Sequence, residues 1–302
     1  MEQVRESAYA KLNLGLDILG TRDDGYHLVR MVMQQIDIHD DITVYKTVDQ
    51  AISLEADFGG VHLAEPMSMG DDNLCVVAAR AMAAALGVHH GYFIHLSKRI
   101  PIAAGMAGGS SDAAATLRAI NRLEGEPLSV DELCRIALRI GADVPYCIRG
   151  GTMLAEGIGE DLTPLPFPGE VTVLIAKPPE GASTGAVYKA YDSLKDPYRP
   201  DIDVLVSSIK AGDVVKMKEA MGNALEQVTV AILPQVTQIE EIMIAGGAKR
   251  AIMTGSGPTV FGIFDDDVAL SQAAETLRRS GLCETVARTA FYDSKGEGHG
   301  RS

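Results

Sequence analysis

The run Gly105-Met106-Ala107-Gly108-Gly109-Ser110-Ser111 constrains this chain more than any other stretch. Its glycines let the backbone take φ > 0 and approach an anion closely, because no Cβ stands in the way. The alanine-rich residues that follow, through about Leu123, read as a helix opened by Ser110, with Asp112 in a first turn where the macrodipole favours an acid. A glycine loop feeding a helix N-terminus offers converging N–H groups to a phosphate. The same run would also serve as a plain helix cap, and both readings stand on the residues alone. It carries no G-K-[S/T], so it is not a Walker A loop, and it lacks the G-x-G-x-x-G spacing of a dinucleotide fold.

A phosphate held by main-chain amides suits the charge of the chain. Its net charge of −14 over 302 residues argues against a nucleic acid or an anionic membrane as partner, since both demand clustered Lys and Arg. Trp is absent and aromatics are 5%, which weakens base stacking as a binding theme. Charged residues at 23% and hydrophobic ones at 46% are globular composition. Cys75, Cys134, Cys147 and Cys283 form no C-x-x-C pair and sit among apolar residues, so reduced, buried thiols are expected. His89-His90 are adjacent, and His62, His95 and His299 stand alone, which gives no His/Cys metal spacing. The N-terminus has no apolar h-region, and the apolar stretch after Asn73 is interrupted by Arg80, short of the ~18 residues a membrane helix needs. A cytoplasmic enzyme is expected.

Along the chain, Leu12, Leu14, Leu16 and Ile18 alternate in a strand from Tyr9 to Ile18, ended by Asp23-Asp24-Gly25. Val32–Ile38, Ile42–Tyr45 and Tyr92–Leu96 read as further short strands. Asn73 caps a predicted helix running to Gly87, and Ser129-Val130-Asp131-Glu132 is a capping box for another ending at Gly141. Pro164, Pro166, Pro168 and Gly169 suggest a connector. Beyond it lie predicted strands at Val171–Ala176, Ala251–Met253 and Val260–Phe264 and helices at Ile239–Ala245 and Val268–Arg279. Strands and helices do not alternate regularly, so the expected class is α+β. The expected organisation is an N-terminal ATP-binding domain over 1–160, a C-terminal domain over 161–290, and a polar, glycine-rich mobile tail over 291–302.

Four motifs in order carry a resemblance. Pro101 to Ala115 resembles the P-x-x-x-G-L-G-S-S-A-A signature of the galactokinase, homoserine kinase, mevalonate kinase and phosphomevalonate kinase (GHMP) superfamily. Ala10-Lys11-Leu12-Asn13-Leu14 with Asp24-Gly25-Tyr26-His27, and Gly141-Ala142-Asp143-Val144-Pro145, are similar to the opening and central motifs of the 4-diphosphocytidyl-2-C-methyl-D-erythritol kinase family. Thr254-Gly255-Ser256-Gly257-Pro258 resembles the superfamily's C-terminal glycine motif. The match runs from about Ser7 to Phe264 and departs from the general signature at Ala107, where glycine is usual, and at Asp112, where alanine is usual.

The resemblance implies a two-domain GHMP-kinase-like architecture with the active site in the cleft between domains. It implies ATP-dependent phosphorylation of the 2-hydroxyl of 4-diphosphocytidyl-2-C-methyl-D-erythritol, in the non-mevalonate isoprenoid route, by a monomer or homodimer. Asp143 would be the general base, with Lys11 keeping it ionised and stabilising charge at the transferring oxygens. Pro101, Ala103, Ala104 and Gly105 through Ser111 would hold ATP, with Asn73, Leu74, Lys98 and Ile102 around its adenine, and Mg²⁺ would bridge the phosphates with Ser111 as a contact. Tyr26 and Tyr188 would stack on cytosine and His27 would hydrogen-bond it. Asn13 and Thr184 would meet the erythritol, and Gly255 and Ser256 the substrate's phosphates. Plainer readings coexist: Asn73 as a helix cap, Lys98 as a strand-end charge, Tyr188 as a helix core residue, and Thr254–Pro258 as a tight turn. Tyr26-His27 and the Gly141–Pro145 motif speak against mevalonate or homoserine as substrate, and retention of Lys11 and Asp143 speaks against a catalytically silent relative.

Overall fold

The computed structural model describes residues 2–59 and 67–293. His62, His299 and the predicted tail from residue 294 onward lie outside the described residues. The chain packs as two compact units, and it enters each of them more than once. Unit 1 holds residues 2–10, 38–59, 67–100 and 107–150; unit 2 holds 11–37, 101–106 and 151–293. Strands β1 (Gln3–Thr21) and β2 (His27–Lys46) each contribute to both.

In unit 1, β3 (Ile52–Asp57), α1 (Leu74–Leu86), β4 (Tyr92–Ser97), α2 (Gly108–Leu123), α3 (Val130–Leu138) and α4 (Val144–Arg149) follow in order. The Asp41–Lys46 half of β2 pairs antiparallel with β4, which pairs parallel with β3. Alternate residues Ile42, Val44, Ile94 and Leu96 point into the core, while α1 and α2 pack on each other and α4 packs on α2. Asn73 caps α1 by accepting from Cys75 N, Gly87 closes it at φ 63°, and both bonds of the Ser129–Glu132 capping box are formed.

The sequence suggested two short strands where β2 runs without a break. The polar string Asp37-Ile38-His39-Asp40-Asp41 interrupts the alternation, yet Asp40 is buried because ion pairing and main-chain donors satisfy its carboxylate. Helix α4 went unseen because it has only 6 residues and carries Pro145 in its first turn.

Unit 2 continues with β5 (Thr152–Glu156), β6 (Asp161–Pro164), β7 (Thr172–Lys177), α5 (Thr184–Tyr191), α6 (Ile202–Ala211), α7 (Val214–Ala220), β8 (Gly222–Asn223) and α8 (Glu226–Ile232). Then come α9 (Gln235–Ala245), β9 (Arg250–Met253), β10 (Val260–Phe264), α10 (Asp267–Ser280) and β11 (Thr285–Ala290). Met31–Gln34 of β2 pair antiparallel with β5, and β8 pairs parallel with β1 at Gly15 and Leu16. The antiparallel sheet β11-β7-β10-β9 buries Val173, Ile175, Phe261 and Ile263, and α9 and α10 pack on it. Antiparallel and mixed pairing with helices set against the sheets is the α+β arrangement expected.

Candidate active site

In unit 1 the glycine run delivers the chain into α2. Ala107 is its N-cap, in the left-handed region at φ 57° and ψ 30°, with no side-chain cap. The first intrahelical bond is Ser111 N to Ala107 O, at 2.8 Å. A helix cannot satisfy its own leading N–H groups, so those of Gly108, Gly109 and Ser110 point out of its end. The helix thus begins at Gly108, two residues before the expected Ser110, because an αL residue at 107 can start the turn without a side-chain oxygen.

Asp112 and Lys98 are not where first-turn and strand-end charges usually sit. Lys98 Nζ is buried and donates to Asp40 Oδ2 at 2.5 Å and to Asp112 Oδ2 at 2.7 Å. Burial alone would lower the ammonium's pKa, but the two carboxylates outweigh it and raise it. Burial pushes the Asp112 carboxyl up to about 8, with Lys98 opposing the rise and Asp40 adding to it. Lys98 N also donates to Asp57 O at 2.7 Å. The ammonium of Lys98, a residue expected among those around adenine, is therefore spent inside the protein. Asn73, beside Leu74, caps α1 as its plainer reading required.

Asp143 is half-buried at the start of α4 and does not use its carboxylate to cap that helix. Arg118 of α2 fixes α4 by donating to Cys147 O at 2.8 Å, while also binding Ser7 O and Glu6. Sequence reasoning missed Arg118, which resembles any polar position of an amphipathic helix.

In unit 2, Lys11 is buried on β1; its N–H donates to Met106 O at 3.2 Å and its Nζ to Asn13 Oδ1 at 2.6 Å. Asn13 N donates to Thr254 Oγ1 at 3.0 Å. Gly105, at φ 70°, has its Cα against the Thr254–Pro258 turn so closely that a Cβ would lie 2.4 Å from Thr254 O. Gly255 in turn meets Gly105 O. Asn223 holds the turn by donating to Met253 O and Gly255 O at 2.9 and 2.8 Å, and Ser256 Oγ meets Thr184 Oγ1 at 2.9 Å. Lys11, Asn13, Gly105, Met106, Gly255, Ser256 and Thr184 are thus brought together. Of the rest of the loop in this unit, Pro101 and Ala104 are buried and Ala103 is exposed at φ 52°.

A second group in unit 2 gathers on α5. The His27 ring lies 4.7 Å from the Tyr188 ring, centroid to centroid, and His27 Nε2 donates to Asp192 Oδ1 at 2.7 Å. Val187 and Tyr191 are the buried residues of α5, whereas Tyr188 is half-buried on the side facing His27. Tyr26 is 57% exposed. Asp192, one turn after Tyr188, was not singled out from the sequence.

The chain is similar to known proteins along its length. Residues 73–151 match the GHMP kinases N terminal domain and residues 205–282 the GHMP kinases C terminal domain. The 4-diphosphocytidyl-2-C-methyl-D-erythritol kinase of Lachnospira eligens is 43% identical over 292 residues, covering 97% of this chain and 99% of the relative. That of Lachnoclostridium phytofermentans is 39% identical over 98% of this chain and 99% of the relative. This chain belongs to the 4-diphosphocytidyl-2-C-methyl-D-erythritol kinase family of GHMP kinases. A crystal structure of 4-(cytidine 5'-diphospho)-2C-methyl-D-erythritol kinase aligns with a TM-score of 0.79 at 28% identity, covering 96% of this chain and all of that one. A crystal structure of L. major mevalonate kinase aligns with a TM-score of 0.77 at 15% identity, covering 96% of each chain, which shows the shared fold alone.

As a GHMP kinase the chain takes its phosphoryl group from ATP. The donor set present is not that of a protein-built magnesium site. Ser111 is buried and its hydroxyl donates to Tyr9 O, and among the described residues no cluster of His, Cys, Asp or Glu could hold a metal ion. No single helix among the described residues is long and apolar enough to cross a membrane.

Proposed function

We propose that this chain transfers the γ-phosphoryl group of ATP to the 2-hydroxyl of 4-diphosphocytidyl-2-C-methyl-D-erythritol, giving the 2-phosphate and ADP. The observation that carries the substrate is likeness over essentially the whole chain to relatives of that name, at 43% identity in the case of Lachnospira eligens. The residues fit the chemistry. Phosphoryl transfer asks the protein chiefly to position the triphosphate and stabilise its charge. The N–H groups at the start of α2 receive the phosphates, and the loop from Pro101 to Ala107 wraps them. Asn73 and Leu74 lie at the adenine; Lys98 takes part there only through its carbonyl, its ammonium and N–H being engaged elsewhere.

Asp143 accepts the proton of the 2-hydroxyl as the oxygen attacks the γ-phosphorus, and ADP departs in line. The Lys11 ammonium stabilises the charge on the transferring oxygens, with Asn13 fixing its direction. His27 and Tyr188, already ring to ring, receive the cytosine, and exposed Tyr26 closes over it. Thr184, Gly255 and Ser256 face the polyol and its diphosphate. A divalent ion, where bound, would supply charge neutralisation to the triphosphate, and the protein groups nearest that task are the N–H groups at the start of α2 and the Lys11 ammonium. The reaction serves isoprenoid precursor synthesis in the cytoplasm.

The test is ADP release by the purified chain with each alcohol in turn. Turnover with the cytidylated alcohol, and none with mevalonate or homoserine, is expected. Turnover with mevalonate alone would overturn the substrate, and nucleotide binding without any turnover would overturn the activity.

A further inference from the structure

The buried side chains of Lys98, Asp40 and Asp112 in unit 1 have no part in the reaction so far, and their geometry gives them one. Lys98 touches α2 at two positions on one helical face, Gly108 at its start and Asp112 one turn on, past the first turn in which the sequence placed that acid. Its Nζ donates to Asp112, and a Cβ on Gly108 would stand only 3.1 Å from that same Nζ. Residues 108 and 112 are four apart, so one ammonium spans the turn end to end. Asp40, from the middle of β2, meanwhile holds the other end of the glycine loop. Its Oδ1 accepts from Arg99 N at 2.5 Å and Ile100 N at 2.7 Å, where the chain leaves β4 and enters the loop. The Asp40 carboxylate thus ties the loop's departure to the lysine that grips its arrival.

We propose that Lys98, Asp40 and Asp112 form a brace fixing both ends of the Pro101–Ala107 loop, and that they are positioning residues for the triphosphate of ATP. The function is mechanical rather than attractive. A cation flanked by two carboxylates adds no net positive potential for an anion, and none of the three side chains is exposed enough to touch a ligand. Core stability alone is a poor reason for such a cluster, since replacing buried ion pairs by apolar side chains is often neutral or stabilising. Asp112 Oδ1 moreover has no hydrogen-bond partner among the described residues. The brace accounts for a buried Lys98 and for an acid at 112, where the general GHMP signature has alanine.

The inference rests on the reading that the start of α2 holds the triphosphate, so the test reads nucleotide binding directly and does not depend on which alcohol is phosphorylated. Binding of a non-hydrolysable ATP analogue to the full chain is measured by titration calorimetry for Lys98→Met, Asp112→Asn and the double variant Lys98→Met/Asp112→Leu, beside Tm and the KM for the cytidylated alcohol. Lys98→Met is expected to raise the nucleotide Kd at least about tenfold, or 1.4 kcal/mol, and to leave the alcohol's KM within about twofold. The apolar double variant is expected to regain Tm without regaining nucleotide affinity. Asp112→Asn, which keeps side-chain volume, covers the case in which Lys98→Met does not fold and is expected to raise Kd about threefold or more, a smaller loss because one oxygen acceptor remains. Nucleotide affinity recovering together with Tm in the double variant would reduce the cluster to a fold-stabilising one. Wild-type affinity in the single variants that fold would also overturn the proposal. If the wild-type chain binds the analogue but phosphorylates no alcohol, the proposed activity fails while the brace is still decided by the Kd values.

Discussion

Replacing Gly105 by alanine should cost far more than its conformation alone explains. Gly105 and Gly281 both take positive φ, at 70° and 73°, and both lie in unit 2. An L-residue in that region costs about 1–2 kcal/mol, of which roughly 0.4–1 kcal/mol is returned by the lower entropy of the unfolded alanine chain. Gly281→Ala, with nothing within 4 Å of the new Cβ, should show only this net cost, about 1 kcal/mol. At Gly105 the new Cβ would lie 2.4 Å from Thr254 O, against the 3.4 Å of ordinary contact, so 3.4 − 2.4 = 1.0 Å of movement is required. The turn is poorly able to give: Thr254 is bound through both N and Oγ1, and Asn223 grips the carbonyls on either side. Overpacking of this kind costs about 1–3 kcal/mol. Urea unfolding of the two variants in parallel brings out the contact, because both variants carry the cost of a positive φ. Gly105→Ala should be less stable than Gly281→Ala by about 1–3 kcal/mol. A difference below about 0.5 kcal/mol, the usual scale of an innocuous substitution, would mean that the main-chain approach of loop and turn is not what requires glycine at 105.

Ala107→Gly should be neutral or stabilising by up to about 1 kcal/mol in the same assay, since relief of the αL conformation at φ 57° offsets the entropy of a glycine. Asp143→Asn should keep nucleotide binding in titration calorimetry and lower kcat by about 10²–10⁴-fold, the usual worth of a positioned base. The Glu226–Glu240 pair in unit 2 should make stability depend on pH. Burial first, then the neighbouring Glu226, pushes Glu240 up to about 9 from 4.5. A raised carboxyl pKa costs nothing where both states are protonated, below the unfolded value, and destabilises progressively as pH rises through the folded one. The Tm gain of Glu240→Gln over the wild type, measured by calorimetry, should therefore grow from pH 5 to pH 9; a gain that is flat or that shrinks would refute this.

Local signals in the sequence were read well where they were self-contained. The Asn73 cap, the Ser129–Glu132 box and the strand at Val260–Phe264 each appear within a residue or two of expectation. What escaped depends on partners distant in the chain. Asp40 looks like a strand breaker until Lys98 and the amides of Arg99 and Ile100 are seen to satisfy it. The αL state of Ala107 shows that the glycine usual there answers to φ rather than to size alone. Helices α6 and α7 carried a legible signal in their capping aspartates, Asp201 and Asp213, that short apolar stripes obscured. Asn13 and Thr254 are 241 residues apart, and nothing local to either predicts that they bond.

The most direct measurement is a crystal structure of the chain with a non-hydrolysable ATP analogue and the cytidylated alcohol. The β- and γ-phosphate oxygens should lie about 2.7–3.2 Å from main-chain nitrogens at the start of α2, among Gly108, Gly109 and Ser110, with the acceptor hydroxyl in hydrogen-bond reach of Asp143. Phosphates bound away from that helix end, or a hydroxyl out of reach of Asp143, would contradict the account.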